Sequence, residues 1–390
     1  MNAGQCLRGG VALLLAALSA CGGDNGPGED LDPELVAQGR EIFRFDTFGD
    51  DSFWTDTLGL HRVIQSGVSP ATALSVGLKV DASVLPAGLL ESADLNDPAT
   101  TVALLKLNAV VGVKGVVETV NGKDSLMSVG ITCALCHSTV DNSVADGIGQ
   151  RLDGWPNRDL NVGAIVALSP ALQDPATQAV LTSWGPGKYD AYWNHDGQNN
   201  PTVIPPAYGL HEVALETFTG EGPVSYWNAY VAVTQMHGHG NFDDPRLGIH
   251  IEQSPDLVTS KLPALREYQH SIAAPPPPAG SFDEAAAARG KALFTGQGRC
   301  SECHTGNALT DAGKRLHAPS EVGTDPTLAQ RATTGLYRTT PLHGVWQHPP
   351  YFHDGSAATL DDVVKHYDDL FQLNLTPEQQ QDLVEYLKSL

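Results

Sequence analysis

Positive charge is what this sequence lacks most. Against 45 Asp and Glu it sets 23 Lys and Arg, a formal net charge of −22. A nucleic-acid surface needs clustered Lys and Arg, so that class of partner is excluded. The acidity suits a soluble surface and a basic docking partner. Long apolar runs are missing too. The best candidate beyond the first residues, "TVALLKLNAVVGVKGVV" (101–117), is broken by Lys106 and Lys114 and cannot span a bilayer. Methionine is nearly absent: Met1, Met127 and Met236 are all there is, so the C-terminal half has no thioether side chain to offer. Disorder is excluded as well, because 41% hydrophobic and 17% charged residues are ordinary for a globular chain. At 390 residues there is room for two or three domains.

Residues 1–20 read as a cleaved signal rather than as fold. Arg8 precedes the short apolar core "VALLLAAL", and Leu18-Ser19-Ala20-Cys21 resembles the bacterial lipoprotein signal, in which the cysteine becomes the lipidated first residue. Residues 21–31 then form a flexible polar tether. The expected location is the bacterial periplasm or cell envelope, with membrane attachment through the Cys21 lipid alone. Gly22, where an inner-membrane retention signal has Asp, favours the outer membrane. An ordinary secretory signal is the alternative.

Cysteine is also sparse, at six residues. Cys6 lies in the leader and Cys21 is the lipidation candidate. The other four fall into two C-x-x-C-H groups: Cys133, Cys136 and His137 in "CALCH", and Cys300, Cys303 and His304 in "CSECH". An exported protein could spend cysteines on disulfides. A zinc site would bring its pairs within about 20 residues of each other, which these are not. A thioredoxin-like couple would need one C-x-x-C and no histidine after both copies. The pattern is that of c-type haem attachment, in which two thiols bond the haem vinyl groups and the adjacent histidine becomes the proximal iron ligand. Two covalent haems are expected, on His137 and His304. Nothing in the sequence specifies Ca2+, which stays open.

The proline run of "SIAAPPPPAGS" (residues 274–280 as linker) divides two segments with matching landmarks. Residues 32–273 and 281–390 each open with a short helix. The first has Asp32 as N-cap and Pro33 in the first turn; the second has a Ser281–Glu284 capping box. Gly39/Phe43 and Gly290/Phe294 repeat one spacing. "LREYQHSI" (265–272) closes the first as "LVEYLKSL" (383–390) closes the second, the latter helix starting from Thr376, Pro377 and Gln379. "YWNHDG" (192–197) echoes "YFHDG" (351–355). The expected fold class is mainly α: two cytochrome c-like haem domains in tandem, the first enlarged by loops and a β-hairpin turning at Asn121-Gly122.

At "YRTTPLHGVWQHPPYFHDGSAATLDDVVKHY" (337–367) the chain resembles the bacterial di-haem cytochrome c peroxidase superfamily, which includes the methylamine-dehydrogenase-maturing di-haem enzyme and di-haem rubber oxygenases. The resemblance implies an open haem on His137 that meets hydrogen peroxide or oxygen. It also implies a six-coordinate relay haem on His304, fed by a redox partner protein. Where the peroxidases have a ligating Met, this sequence has Leu336. The sixth ligand on the His304 side is then Tyr337 or one of His317, His343, His348, His353 and His366, with Tyr337 and His348 favoured, unless the position is empty. Met236, His237 and His239 are the distal candidates on the His137 side. Glu212 and Glu216 are the candidates for an acid-base carboxylate. Trp155, Trp193 and Trp227 could stand between the haems, and Asp354 and Thr359 read as scaffold.

Three functions stay in play: a peroxidase-like oxidoreductase, a non-catalytic periplasmic electron-transfer protein, and an oxygenase or oxidase of an organic substrate. An open position on one haem separates the first and third from the second.

Overall fold

A computed structural model describes residues 31–390, so the leader and Cys21 lie outside the described residues. The fold is helix-rich. The elements that frame the site are α1 (Pro33–Phe45), α2 (Pro98–Lys106), β1 (Val113–Val120), β2 (Lys123–Ile131), α3 (Val224–Tyr230), α4 (Leu262–Ser271), α5 (Glu284–Thr295), α6 (Leu360–Phe371) and α7 (Pro377–Lys388). Among the described residues, no helix is long and apolar enough to cross a membrane.

Two helix crossings repeat one design. The Asp32 side chain caps α1 by accepting from the Glu34 and Leu35 amides. Along the buried face of α1, Gly39 lets the Ala264 carbonyl of α4 come so close that a Cβ would collide with it. One turn on, Phe43 meets Tyr268 edge-on with ring centroids 5.4 Å apart. In the C-terminal half, Gly290 of α5 meets the Asp382 carbonyl of α7 in the same way, and Phe294 meets Tyr386 at 5.2 Å. The residue before each tyrosine closes the end of the partner helix. Glu267 accepts from the Asp32 amide at 3.1 Å, and Glu385 accepts from the Asp283 amide at 2.7 Å.

That last bond carries a correction. The cap of α5 is Asp283, whose carboxylate takes the Ala286 amide at 2.8 Å, and not a Ser281–Glu284 box. Asp283 sits where the third amide of the helix can reach it, and Ser281 lies two residues too early. Thr376 and Gln379 do form a reciprocal capping box on α7, as Thr359 and Asp362 do on α6.

One core gathers Phe43, Tyr230, Met236, Val258 and Leu265; a second gathers Phe294, Leu342, Leu360, Leu383 and Val384. In the long stretch before Cys133, α2 packs Val102 and Leu105 against Leu126 of β2. β1 and β2 pair antiparallel, with a bulge after Val116 and a turn at Asn121 and Gly122, both at positive φ. The segment 101–117, apolar yet broken by lysines, is therefore a helix and a strand around one satellite core.

The two halves meet along several strands of contact. Val203 donates its amide to the His353 carbonyl at 2.8 Å, and Arg338 donates its amide to that of Phe218 at 2.9 Å. The Tyr208 hydroxyl reaches the Gly344 carbonyl at 2.9 Å.

Candidate haem-binding site

Each C-x-x-C-H group ends in a half-buried, oriented imidazole. Cys133 lies before the short helical turn Ala134–His137, and the His137 amide closes back on the Cys133 carbonyl at 3.2 Å. His137 Nδ1 lies 3.0 Å from the Pro205 carbonyl. In the second group, the His304 amide bonds the Cys300 carbonyl, and His304 Nδ1 lies 2.9 Å from the Leu309 carbonyl. A carbonyl accepts only from N–H, so both rings hold a proton on Nδ1 and present Nε2 as a lone pair. A metal-ligating histidine needs that second contact to fix its tautomer and angle. Burial favours the neutral, ligating form: it pushes His137 down to about 4, against a small opposing pull from the Pro205 carbonyl, and it lowers His304 too. The four cysteines are free thiols, standing where thioether sulfurs would be in the haem-bound protein.

A cavity of about 510 Å³ adjoins Cys300, Cys303 and His304, between Phe294 and Tyr367 on one side and Tyr208 and Phe218 of the N-terminal half on the other. That volume lies in the range of cofactor pockets. A smaller cavity, about 90 Å³, adjoins His137. The chemistry of both donor sets fits a covalent haem: paired thiols and an imidazole with fixed tautomer, with a mainly apolar lining on the His304 side.

The structure separates the sixth-ligand candidates around His304. Tyr337 gives its hydroxyl proton to the Asp325 carbonyl at 2.7 Å and accepts from the Ala329 amide. His353 stacks on Tyr337 and contacts its hydroxyl through Nε2 at 3.1 Å. Both nitrogens of His317 are engaged, by Asp311 and Glu321. His343 bonds the Asn307 carbonyl, and His366 bonds that of Val322. His348 lines the cavity, is buried, and among the described residues makes no side-chain hydrogen bond to another residue. Burial, and then the neighbouring Arg158 charge, push it down to about 3, so it too is neutral.

On the His137 side the picture differs. Met236 packs in the first core, His237 stacks on Phe53, and His239 bonds the Pro255 carbonyl; none of them lines the small cavity. Glu212 is exposed, within 3.4 Å of the Asn307 amide nitrogen. Glu216 does line the His137 cavity. Its Oε1 sits 3.2 Å from His270 Nε2, and its buried Oε2 has no hydrogen-bond partner. Trp227 also lines this cavity and stacks on Tyr230. Trp155 meets Trp346 edge-on across the two halves, and Trp193 packs on Trp184. Asp354 accepts Lys188 Nζ on its backbone carbonyl.

Sequence reasoning missed Pro205, Leu309, Arg158 and Arg338. The two carbonyls carry no sequence signature. Arg338 was in view, beside Tyr337 in "YRTTPL", but its burial was not.

The cytochrome c family model matches residues 287–390. A cytochrome-c peroxidase of Denitromonas iodatirespirans, IdrP1, is 30% identical over 151 residues, covering 27% of this chain and 40% of that protein. The methylamine utilization protein MauG of Methylorubrum extorquens is 34% identical over 88 residues, covering 21% of this chain and 24% of that protein. The chain thus spans less than half the length of either curated relative. A solved hydrazine synthase of Kuenenia stuttgartiensis overlaps 49% of this chain and 73% of its own at 21% identity, with a TM-score of 0.35, too loose to carry an argument. Over these partial stretches the chain is similar to cytochrome c and to members of the di-haem cytochrome c peroxidase superfamily.

Proposed function

We propose that this chain is a di-haem oxidoreductase of the peroxidase type, with an open haem on His137 and a relay haem on His304. The observation that carries it is the contrast between the two cavities. Among the described residues, no His other than His137 and no Met, Cys or Lys lines the His137 cavity, and its Tyr192 hydroxyl is bonded to Glu221, whereas His348 lines the cavity of His304. When bound, each haem supplies one-electron iron chemistry. The protein's part would be to hold His137 and His304 by their Nδ1 protons, to offer His348 as a second nitrogen ligand for the His304 haem, and to keep Glu216 in the His137 cavity. There the free Oε2 of Glu216 is suited to take and return a peroxide proton. Residues 32–273 and 281–390 would be the two haem domains, and Cys21 the anchor that keeps them in the cell envelope, where a basic redox partner could dock on the acidic surface.

The test is optical and EPR spectroscopy of the haem-loaded protein, oxidised and half-reduced, before and after hydrogen peroxide. Two haems per chain are expected, one high-spin and peroxide-sensitive. The sensitive signal should vanish in His137→Ala, and the low-spin signal should turn high-spin in His348→Ala. Two low-spin haems indifferent to peroxide would leave only electron transfer.

A further inference from the structure

Among the described residues four arginines line the large cavity, and two of them form no ion pair. Arg299 pairs with Glu302 at 2.8 Å, and Arg315 pairs with Glu321. Arg158 and Arg338 line the same cavity without an ion pair. Arg158 comes from the N-terminal half. Its Nη2 donates to the His348 carbonyl at 2.9 Å, while Nε and Nη1 are buried with no partner. The charged or polar groups acting on it are Tyr208 and Tyr351, neither a carboxylate. Arg338 is 9% exposed; Nη1 donates to the Leu215 carbonyl at 2.9 Å, and Nε has no partner. Glu216 is the one acid near enough to act on Arg338, and no hydrogen bond joins them.

A buried guanidinium with unmet N–H groups is costly and calls for an anion. Burial pushes both guanidiniums down to about 10, which still leaves them charged at neutral pH. A c-type haem brings two carboxylates on flexible arms, and a planar fork of N–H donors is the matching partner.

We propose that Arg158 and Arg338 bind the two propionate carboxylates of the haem attached at Cys300 and Cys303, with Arg158 reaching it from the N-terminal half. The inference rests on the di-haem reading above. Its consequence is that the environment of the His304 haem is completed only when the two halves dock. A paired propionate is electrically quiet. An unpaired one favours the ferric state and lowers the reduction potential.

The experiment is a potentiometric titration of the haem-loaded full chain, followed optically, with haem counted beforehand by pyridine haemochromogen assay. The wave of the His304 haem is the one missing from a Cys300→Ala/Cys303→Ala variant. Arg158→Gln and Arg338→Gln are each expected to shift that wave to lower potential and leave the other in place, and Arg158→Lys should recover part of the shift. Fewer than two haems in the parent protein would sink the di-haem reading itself. Two haems, an unchanged far-UV CD spectrum and an unmoved wave in both glutamine variants would overturn the propionate assignment. If Arg158→Gln does not fold, Arg158→Lys and Arg338→Gln decide: no shift in either overturns it.

Discussion

Arg331 and Asp190 form a two-pronged ion pair that ties the halves together. Nη2 lies 2.8 Å from Oδ1 and Nη1 lies 3.1 Å from Oδ2. Asp196 adds a third contact, to Arg331 Nε at 2.7 Å. The side chains of Arg331 and Asp190 are 2% and 1% exposed, so neither charge has water to fall back on. Removing the guanidinium leaves Asp190 buried with only the Tyr192 and Asn200 amides against its charge. Arg331→Leu should therefore lower stability by about 3–5 kcal/mol. Denaturant unfolding of the parent and variant measures it, and a loss below about 1 kcal/mol would mean the pair is idle.

The repeated helix crossing makes a matched prediction. Gly39→Ala and Gly290→Ala each drive a methyl into a backbone carbonyl that has no room to rotate away. Each should cost about 1–3 kcal/mol or more, because overpacking a tight contact forces backbone shifts. Similar losses at both sites are expected in chemical denaturation. A tolerated methyl at one site only would break the equivalence of the two crossings.

Glu216 provides a kinetic test. Among the described residues, its Oε2 is the one unbonded carboxylate oxygen lining the His137 cavity. Glu216→Gln keeps the shape and the contact to His270 while removing the proposed proton carrier. Peroxide turnover should fall by about 10²–10⁴-fold with both haems retained. Unchanged turnover would assign the proton step to another group.

Asp50 gives a pH dependence of definite sign. It is fully buried near Trp54, and burial is the main cause that pushes its carboxyl up to about 9, with Asp51 and Asp46 adding repulsion and the Ile131 amide opposing. The folded protein keeps this proton while the unfolded chain releases it near pH 4. Its contribution is therefore intact below about pH 4 and is lost as pH rises toward 9, at up to about 1.4 kcal/mol per pH unit. Asp50→Asn should stabilise the protein at pH 7 and flatten the stability–pH curve over that window. Thermal melts from pH 4 to 9 would show it, and a variant with the parent's slope would refute it.

What the sequence disclosed was whatever chemistry lies in a few consecutive residues. The two C-x-x-C-H groups, the Asn121-Gly122 turn, and the caps at Asp32 and Thr376 are local and could be read directly. The cap of α5 was misplaced by two residues, since Ser281 and Asp283 are both good caps and only the approach of Glu385 to the Asp283 amide selects between them. The partners of His137 and Glu216 were illegible for a different reason. Pro205 and His270 lie more than 50 residues away from them, and a backbone carbonyl looks alike in every residue. Tyr337 and His348 looked equal on paper; packing gave one a full set of hydrogen bonds and left the other bare.

The glycine crossings also say something about how such a chain can grow. In the N-terminal half about 215 residues separate the two crossing helices, and in the C-terminal half about 80, yet closing the longer loop costs under about 1 kcal/mol more. A contact that brings two helices together through a missing side chain makes no demand on what lies between them. New segments, such as the one built from α2 and the hairpin, can therefore accumulate there while the clasp and His137 stay where they were. Variation in such a chain is predicted to collect in length on the His137 side.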